Sequence, residues 1–403
     1  MTKHDGHNEQ LTKLERLLVD LVEIPSINPP GKEAAVADYL EDYLRKAGLV
    51  VRRKASGLEG RDSLVVTLLS DATRPNNAEP SAEERSRGGI IFTGHMDVVP
   101  VSAKERLRWN SDPFKAHVDK DYIYARGACD MKSGLAAACQ ALCDLAYQGF
   151  KPKRDIALVI TADEEDSMMG SRSFADDKEL AHFDSVVVCE PTNLQLCSKS
   201  RGRTYGLLQV EGQTAHGSRP GSGCNALLVA HEFITEMMKL DFSAYDNSYG
   251  QSFLRPLGIQ AGVDPWVVPD QCTLKLDARL TLGHDPKDIW EKLEQIRQSL
   301  EQRYLEQGAQ LSLQVLDARE PWETQDCRLL RSCKGIMQEM NLSTHELCFT
   351  GTTDGTPLRR AGRDVVIIGP GDLSCAHQEN ERVSRKQLAQ AYQLYHSLMG
   401  TWV

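Results

Sequence analysis

Two hydrophobic patterns divide this chain: apolar residues spaced as on a helix face, and short runs that are apolar throughout. In LTKLERLLVDLVEI (11–24) and EAAVADYLEDYLRKAG (33–48) the apolar positions recur three and four apart, which predicts two amphipathic helices. PSINPPG separates them, and Gly48 marks the C-terminal stop of the second. LVVRRKA (49–55) and SLVVTLL (63–69) read as strands, and the polar stretch over 71–89 reads as an exposed loop. Three strand-like runs follow, GIIFTGHM (89–96), DIALVITADEE (155–165) and DSVVVCEPT (184–192). They are continuously apolar, as strands covered on both faces are. Among them lies a small-residue helix, SGLAAACQALCDLAYQG (133–149). Strands alternating with helices predict an α/β sandwich with a mostly parallel sheet.

From about Arg203 to Val315 the pattern changes. TYGLLQVEG and CTLKLDARL alternate apolar with polar residues, and the helices HEFITEMMKL and DPKDIWEKLEQIRQSLEQRYLEQG separate such segments. Strands buried on one face plus two helices predict a smaller α+β domain. After Asp317 the first pattern returns in DVVIIGPG and the helix SRKQLAQAYQLYHSLM. The expected organisation is a three-layer α/β domain built from 1–202 and 317–403, interrupted by an α+β domain over 203–316.

Composition narrows the function. A length of 403 residues favours two domains, and 41% hydrophobic with 26% charged residues is the balance of a globular protein. No apolar run reaches the ~18 residues of a membrane span. The N-terminal MTKHDGHNEQLTK lacks the apolar stretch of a secretory signal and reads as a fraying cytosolic leader, so the expected location is the cytoplasm. A net charge of −10 argues against nucleic acid or anionic membrane as partners. The eleven cysteines show no CxxC pair and no disulfide framework, and read as reduced, mostly buried thiols.

The strand-like runs end in acidic residues and histidines, and in open α/β sheets ligands gather beyond the carboxyl ends of the strands. In GHMDVVP, His95 and Asp97 lie two apart and point to one side. Asp97 is placed to take the second ring N–H of a metal-binding His95. In YARGACDMKSG, Asp130 could cap the following helix, face solvent or bridge two cations. Glu164 and Glu165 in TADEEDSMMG point to opposite sides, so one can bind metal while the other acts as general base on a bound water. Glu190 in VVVCEPT and His377 in GDLSCAHQENE complete the set. Such nitrogen and oxygen donors suit zinc, or manganese and cobalt.

The ordered series GHMDVVP, YARGACDMKSG, TADEEDSMMGS, CEPT, GQTAHGSRPGSGCNAL and GPGDLSCAHQENE resembles the acetylornithine deacetylase and succinyl-diaminopimelate desuccinylase family, with glutamate carboxypeptidase and aminoacylase among its members. TADEEDSMMGSRSFA and the final stretch are most similar to acetylornithine deacetylases. The resemblance implies two zinc ions, one held by His95 and Glu190, the other by Glu165 and His377, with Asp130 bridging. It implies Glu164 as general base and Asp97 as the partner of His95. The inserted domain becomes a lid and dimerisation domain, and the protein a homodimer acting on a small N-acyl amino acid. His216 in QTAHGSRP resembles the histidine that reaches across the dimer interface to the scissile carbonyl, where a developing oxyanion needs donors. Asn225, Arg279, Thr352 and Gly371 match positions that contact substrate, Arg279 being suited to a bidentate grip on a carboxylate.

Two positions depart from the family. Trp266 stands in PWVVPD where relatives have Asn, and its indole would enlarge the apolar side of the pocket. Thr356 stands where desuccinylases carry arginine, which argues against a doubly charged succinyl substrate. The expected reaction is hydrolysis of the amide of an N-acylated amino acid. A metallo-dipeptidase or carboxypeptidase with the same metal pair is the alternative, and a non-catalytic binding protein the second.

Overall fold

Thr12 opens the first helix, Lys13–Val22, with a reciprocal capping box: its hydroxyl accepts from Glu15 N, and the Glu15 carboxylate accepts from Thr12 N. The second helix, Ala34–Lys46, stops before Gly48, whose φ of +80° is open to glycine. The computed structural model describes residues 11–70, 81–83, 88–241, 250–262 and 266–403. The start of the leader and most of the polar stretch over 71–89 lie outside these. The chain divides into two units: one comprises the residues up to Ser198, Thr324–Leu347 and Thr353–Val403, the other Lys199–Glu323 and Cys348–Thr352.

In the first unit four parallel strands form the centre of a sheet, in the order Asp155–Thr161, Gly89–His95, Ser185–Val188 and Asp364–Ile367. Ser63–Leu68 joins antiparallel beside Asp155–Thr161, and Val51–Lys54 pairs antiparallel with it. Beyond Asp364–Ile367, Cys197 pairs antiparallel with Ile367. Every residue of the strands Gly89–His95, Asp155–Thr161 and Ser185–Val188 is buried. That is why these runs show no alternation in sequence. One face packs Ile90, Phe92, Ile156, Leu158, Ile160 and Val187 into a core with the helices Lys13–Val22, Lys132–Tyr147 and Arg385–Thr401. The helix Gly355–Arg360 packs on Met169–Ala175 and on the strands Asp364–Ile367 and Ser185–Val188.

In the second unit four antiparallel strands run in the order Phe253–Ala261, Gln271–Leu280, Gly202–Glu211, Gln310–Arg319. One face of this sheet, through Leu208, Val210, Leu274 and Leu276, packs against Val229 and Phe233 of one helix and Ile289, Trp290 and Leu293 of another. Asn225 caps the first helix, Ala226–Met237, and Asp285 the second, Pro286–Arg303. Among the described residues no helix is long and apolar enough to cross a membrane. All eleven cysteines are free thiols.

Candidate metal centre

The carboxyl ends of the four parallel strands converge on one place. His95 is the last residue of its strand, and Glu190 follows the strand Ser185–Val188 by two residues. Glu164 and Glu165 lie in the turn after Thr161, where the strand ends before the acidic run that sequence alone attaches to it. Asp163, at φ +69°, turns the chain there, and His377, at φ +60°, does so in the loop beyond Asp364–Ile367. Such left-handed conformations are costly for residues with a Cβ and cluster at functional sites. Asp130 precedes the helix Lys132–Tyr147.

Asp130 lies between the two histidines. Its Oδ1 is 3.2 Å from His95 Nε2, and its Oδ2 is 3.2 Å from His377 Nε2. Glu190 Oε1 is 3.4 Å and Glu164 Oε2 3.9 Å from His95 Nε2. Glu165 Oε1 is 3.1 Å from His377 Nε2. The adjacent glutamates thus serve opposite sides of the cluster. Two groups, His95–Asp130–Glu165 and His95–Glu164–Glu190, each hold their ligand atoms within 4.8 Å of one another, close enough for a metal ion.

The sequence model of one family, described as Peptidase family M20/M25/M40, matches residues 91–401. The chain belongs to that family. It is therefore a metal-dependent hydrolase of the amidohydrolase and peptidase kind. Among relatives of this M20 chain, an acetylornithine deacetylase of Yersinia pseudotuberculosis serotype O:1b (strain IP 31758) is 27% identical over 300 residues, 73% of this chain and 74% of that one. A tripeptidase from Staphylococcus aureus subsp. aureus Mu50 shares the fold with a TM-score of 0.76 at 21% identity, over 96% of this chain and 97% of that one. The YXEP protein of Bacillus subtilis, described as a dinuclear metal binding peptidase from the M20 family, shares it with a TM-score of 0.67 at 14% identity, over 96% of each chain.

The electrostatics of the M20 cluster call for cations. Burial, with the negative charge of Asp130 beside it, pushes the Glu190 carboxyl up to about 8. Burial and the neighbouring Glu190 and Asp354 raise Glu164 well above the carboxylate range, and burial and Asp130 raise Glu165. Asp130 itself is lowered: burial opposes its charge, but hydrogen bonds from His377 and His95 outweigh that cost. Burial likewise opposes charge on the histidines, yet the facing carboxylates raise His95 and bring His377 up to about 11. Four carboxylates crowd two imidazoles, and two divalent ions would balance them. The donor set fits first-row divalent metals.

Asp97 stands beside His95 and supports the glutamate turn as well. His95 Nδ1 is 3.0 Å from the backbone oxygen of Asp97 and 3.5 Å from its carboxylate. The carboxylate, whose charge helps to raise His95, also accepts from Glu164 N at 3.2 Å, Glu165 N at 3.1 Å and Asn28 Nδ2 at 2.8 Å. It therefore fixes the turn that carries both glutamates, because two adjacent amides prefer one acceptor to an unpaired burial.

Further supports escape sequence reasoning. Glu381 Oε1 accepts from the backbone N–H of Gly127, Cys129 and Asp130 at 2.9, 2.9 and 3.0 Å, while its Oε2 takes Arg126 Nη1 at 2.6 Å. A second carboxylate four residues after His377 is the signal that could have found it. Asp354, buried, accepts from the Thr161 hydroxyl just before the Glu164 turn.

His216, Asn225, Trp266, Arg279 and Thr352 belong to the second unit. His216 is exposed, its Nδ1 2.8 Å from Ser218 Oγ. Asn225 Oδ1 accepts from Leu227 N and Leu228 N as a helix cap, and Trp266 is 75% exposed. Thr352 Oγ1 accepts from Arg319 Nη1 at 3.1 Å. Gly371, in the first unit, has φ +97°, and a Cβ there would stand 2.7 Å from Cys129 Sγ, so both conformation and space demand glycine.

Proposed function

We propose that this chain removes the acyl group from a small N-acylated amino acid, as an acetylornithine deacetylase would, with two zinc ions in the cluster. Cobalt or manganese would satisfy the same donors. One observation carries the reading: Glu164, buried and raised, accepts no side-chain hydrogen bond from the described residues, yet sits 3.9 Å from His95. A carboxylate left uncommitted among committed ones is placed to move a proton.

His95 and Glu190 would hold one ion, Glu165 and His377 the other, with Asp130 between them. Bound there, the pair supplies a polarised amide carbonyl and a water whose pKa falls from ~15.7 towards ~7. Glu164 would take a proton from the attacking water as the water oxygen bonds to the carbonyl carbon. When the C–N bond breaks, Glu164 returns the proton to the departing nitrogen, releasing a carboxylic acid and an amine. Asp97 and Asp354 keep the turn that carries Glu164 in register. In a homodimer in the cytoplasm, His216 would donate to the oxyanion, with Arg279, Asn225, Thr352, Gly371 and Trp266 shaping the substrate pocket.

Glu164→Ala should leave the metal content of the purified protein intact while lowering kcat by at least about 10²-fold. Loss of metal in that variant would overturn the assignment. Cleavage of dipeptides or C-terminal residues uses the same cluster, and Glu190, where family dipeptidases commonly have Asp, favours deacylation. Assaying N-acetylornithine against dipeptides and N-acyl-glutamates separates the two.

A further inference from the structure

In sequence the stretch PSINPPG (25–31) parts two helices, and Asn28 lies outside the residues 91–401 that the family model matches. In the fold this stretch is laid against the residues that leave the strand Gly89–His95. Asn28 N donates to Val98 O and Val98 N to Ser26 O, both at 2.9 Å, and the Ser26 hydroxyl donates to Met96 O at 2.6 Å. These bonds grip the residues on either side of Asp97. The backbone of Asn28, which is buried, is thereby fixed beside Asp97 before its side chain makes any contact.

The strands Gly89–His95 and Asp155–Thr161 run side by side, and their ladder ends where Met96 N donates to Thr161 O at 2.9 Å. Beyond that point side chains join the two segments. Asn28 Nδ2 donates to Asp97 Oδ2 at 2.8 Å and to Asp163 Oδ1 at 3.1 Å. Asp97 accepts in turn from the amides of Glu164 and Glu165. Asp163, the left-handed residue of the turn, is tied twice more: its N–H donates to Glu33 Oε1 at 3.2 Å, and its Oδ1 lies 2.9 Å from Arg61 Nη2. Arg61 Nε closes the ring on Glu33 Oε2 at 2.9 Å. A residue with a Cβ stays in that conformation when its surroundings over-determine it. Arg61 supplies the positive charge, so the group bridging the two aspartates can be neutral. A side-chain amide has two protons for two carboxylates, where a hydroxyl has one.

We propose that Asn28 is a positioning residue for the reaction: by sharing its amide protons between Asp97 and Asp163 it holds the turn that presents Glu164, and so sets the rate of turnover rather than metal content or substrate affinity. That Glu164 moves the proton rests on the amide-hydrolase reading above; that Asn28 holds the turn does not. The two glutamates of the turn depend on it unequally. Glu165 has a second hold, its Oε1 lying 3.1 Å from His377 Nε2. Glu164 accepts no side-chain hydrogen bond from the described residues, so its place follows from the main chain that Asp97 and Asp163 fix. A loosened turn is therefore felt first at Glu164, and a displacement of about 1 Å in a reacting group costs about 10²-fold in rate.

The test reads the turn and the turnover separately. Full-length wild type is compared with Asn28→Ala and with Asn28→Asp, which keeps the shape of the side chain and removes its amide, melting curves confirming the fold. Hydrogen exchange resolved by mass spectrometry should show the amides of Glu164 and Glu165 exchanging about tenfold faster in both variants, the worth of one hydrogen bond to a charged group. Elemental analysis should find the metal content unchanged. With N-acetyl-L-ornithine, kcat should fall about 10- to 100-fold while KM stays within about twofold. Arg61→Lys, which keeps the charge without the fork, should speed the same amides about threefold, and it reads the turn if the Asn28 variants do not fold. Unchanged exchange in the folded variants, faster exchange with kcat unchanged, or a fall in kcat matched by loss of metal overturns the proposal. A wild type that hydrolyses no N-acyl amino acid sinks the amide-hydrolase reading, while the exchange rates still decide whether Asn28 holds the turn.

Discussion

Glu381 shows how a residue that need not touch a metal can govern where one binds. Its carboxylate gathers three backbone amides of the Gly127–Asp130 turn and pairs with buried Arg126, so the direction in which Asp130 points depends on it. Removing Glu381 leaves three backbone amides without their acceptor and Arg126 with Glu105 as its remaining carboxylate partner among the described residues. Glu381→Ala should therefore cost about 3 kcal/mol in urea unfolding and lower the metal content, measured by elemental analysis. An unchanged metal content in a folded variant would show that the turn holds itself. The gathering of His95, Glu164, Glu165 and Glu190 was legible in the sequence because each follows or ends an apolar run, a local signal, whereas Asp130, in a Gly-rich loop before its helix, and His377, in a polar loop beyond Asp364–Ile367, came with the family resemblance. Glu381 and Asp97's hold on the glutamate turn were not legible there. Those bonds join residues far apart in sequence or across a strand pair, and nothing in a carboxylate's neighbours along the chain says which amide or guanidinium it will meet.

At the scale of elements, the helix Lys132–Tyr147 matters for its closeness to the sheet. A Cβ on Gly134 would stand 1.9 Å from the backbone oxygen of Cys189, the residue before Glu190. Gly134→Ala must push the helix or the strand end away. It should cost about 1–3 kcal/mol, seen as a lower urea midpoint, and weaken metal retention by displacing Glu190. A variant with wild-type midpoint and metal content would mean that the helix yields without moving the strand. Most of the longer elements follow from hydrophobic period, but boundaries and several strands, Leu196–Ser200, Phe253–Ala261 and Gln310–Arg319 among them, do not. Phe253–Ala261 hides its strand character behind Pro256, which edge strands tolerate, and a break in register between Pro256 and Gly258 absorbs it. The helix after Asn225 begins five residues before the run HEFITEMMKL because the asparagine cap, not the apolar spacing, fixes its start.

For the molecule as a whole, bound metal and protons compete for the same atoms. In metal-free protein His377 is raised to about 11 by its carboxylate neighbours, so its charged form adds stability that is fully present below the unfolded histidine value and lost as pH rises through about 11. Metal held as proposed would displace that proton, and those on His95 and Glu190, so its affinity should fall as the solution is acidified. Added zinc should raise the melting temperature at about pH 7.5, and the gain should shrink towards about pH 5. A gain independent of pH would mean that the metal binds elsewhere.

The bond between Gly127 and Glu381 spans 254 residues. A ribosome adding roughly 5–20 residues per second needs tens of seconds to make that stretch. Until it has done so, the emerging chain carries His95, Asp130, both turn glutamates and Glu190 but neither the last histidine nor the clamp on Asp130. On the roles proposed for His377 and Asp130, hydrolytic competence waits for Glu381, and a messenger cut short before that residue should yield a protein that can be abundant and inert.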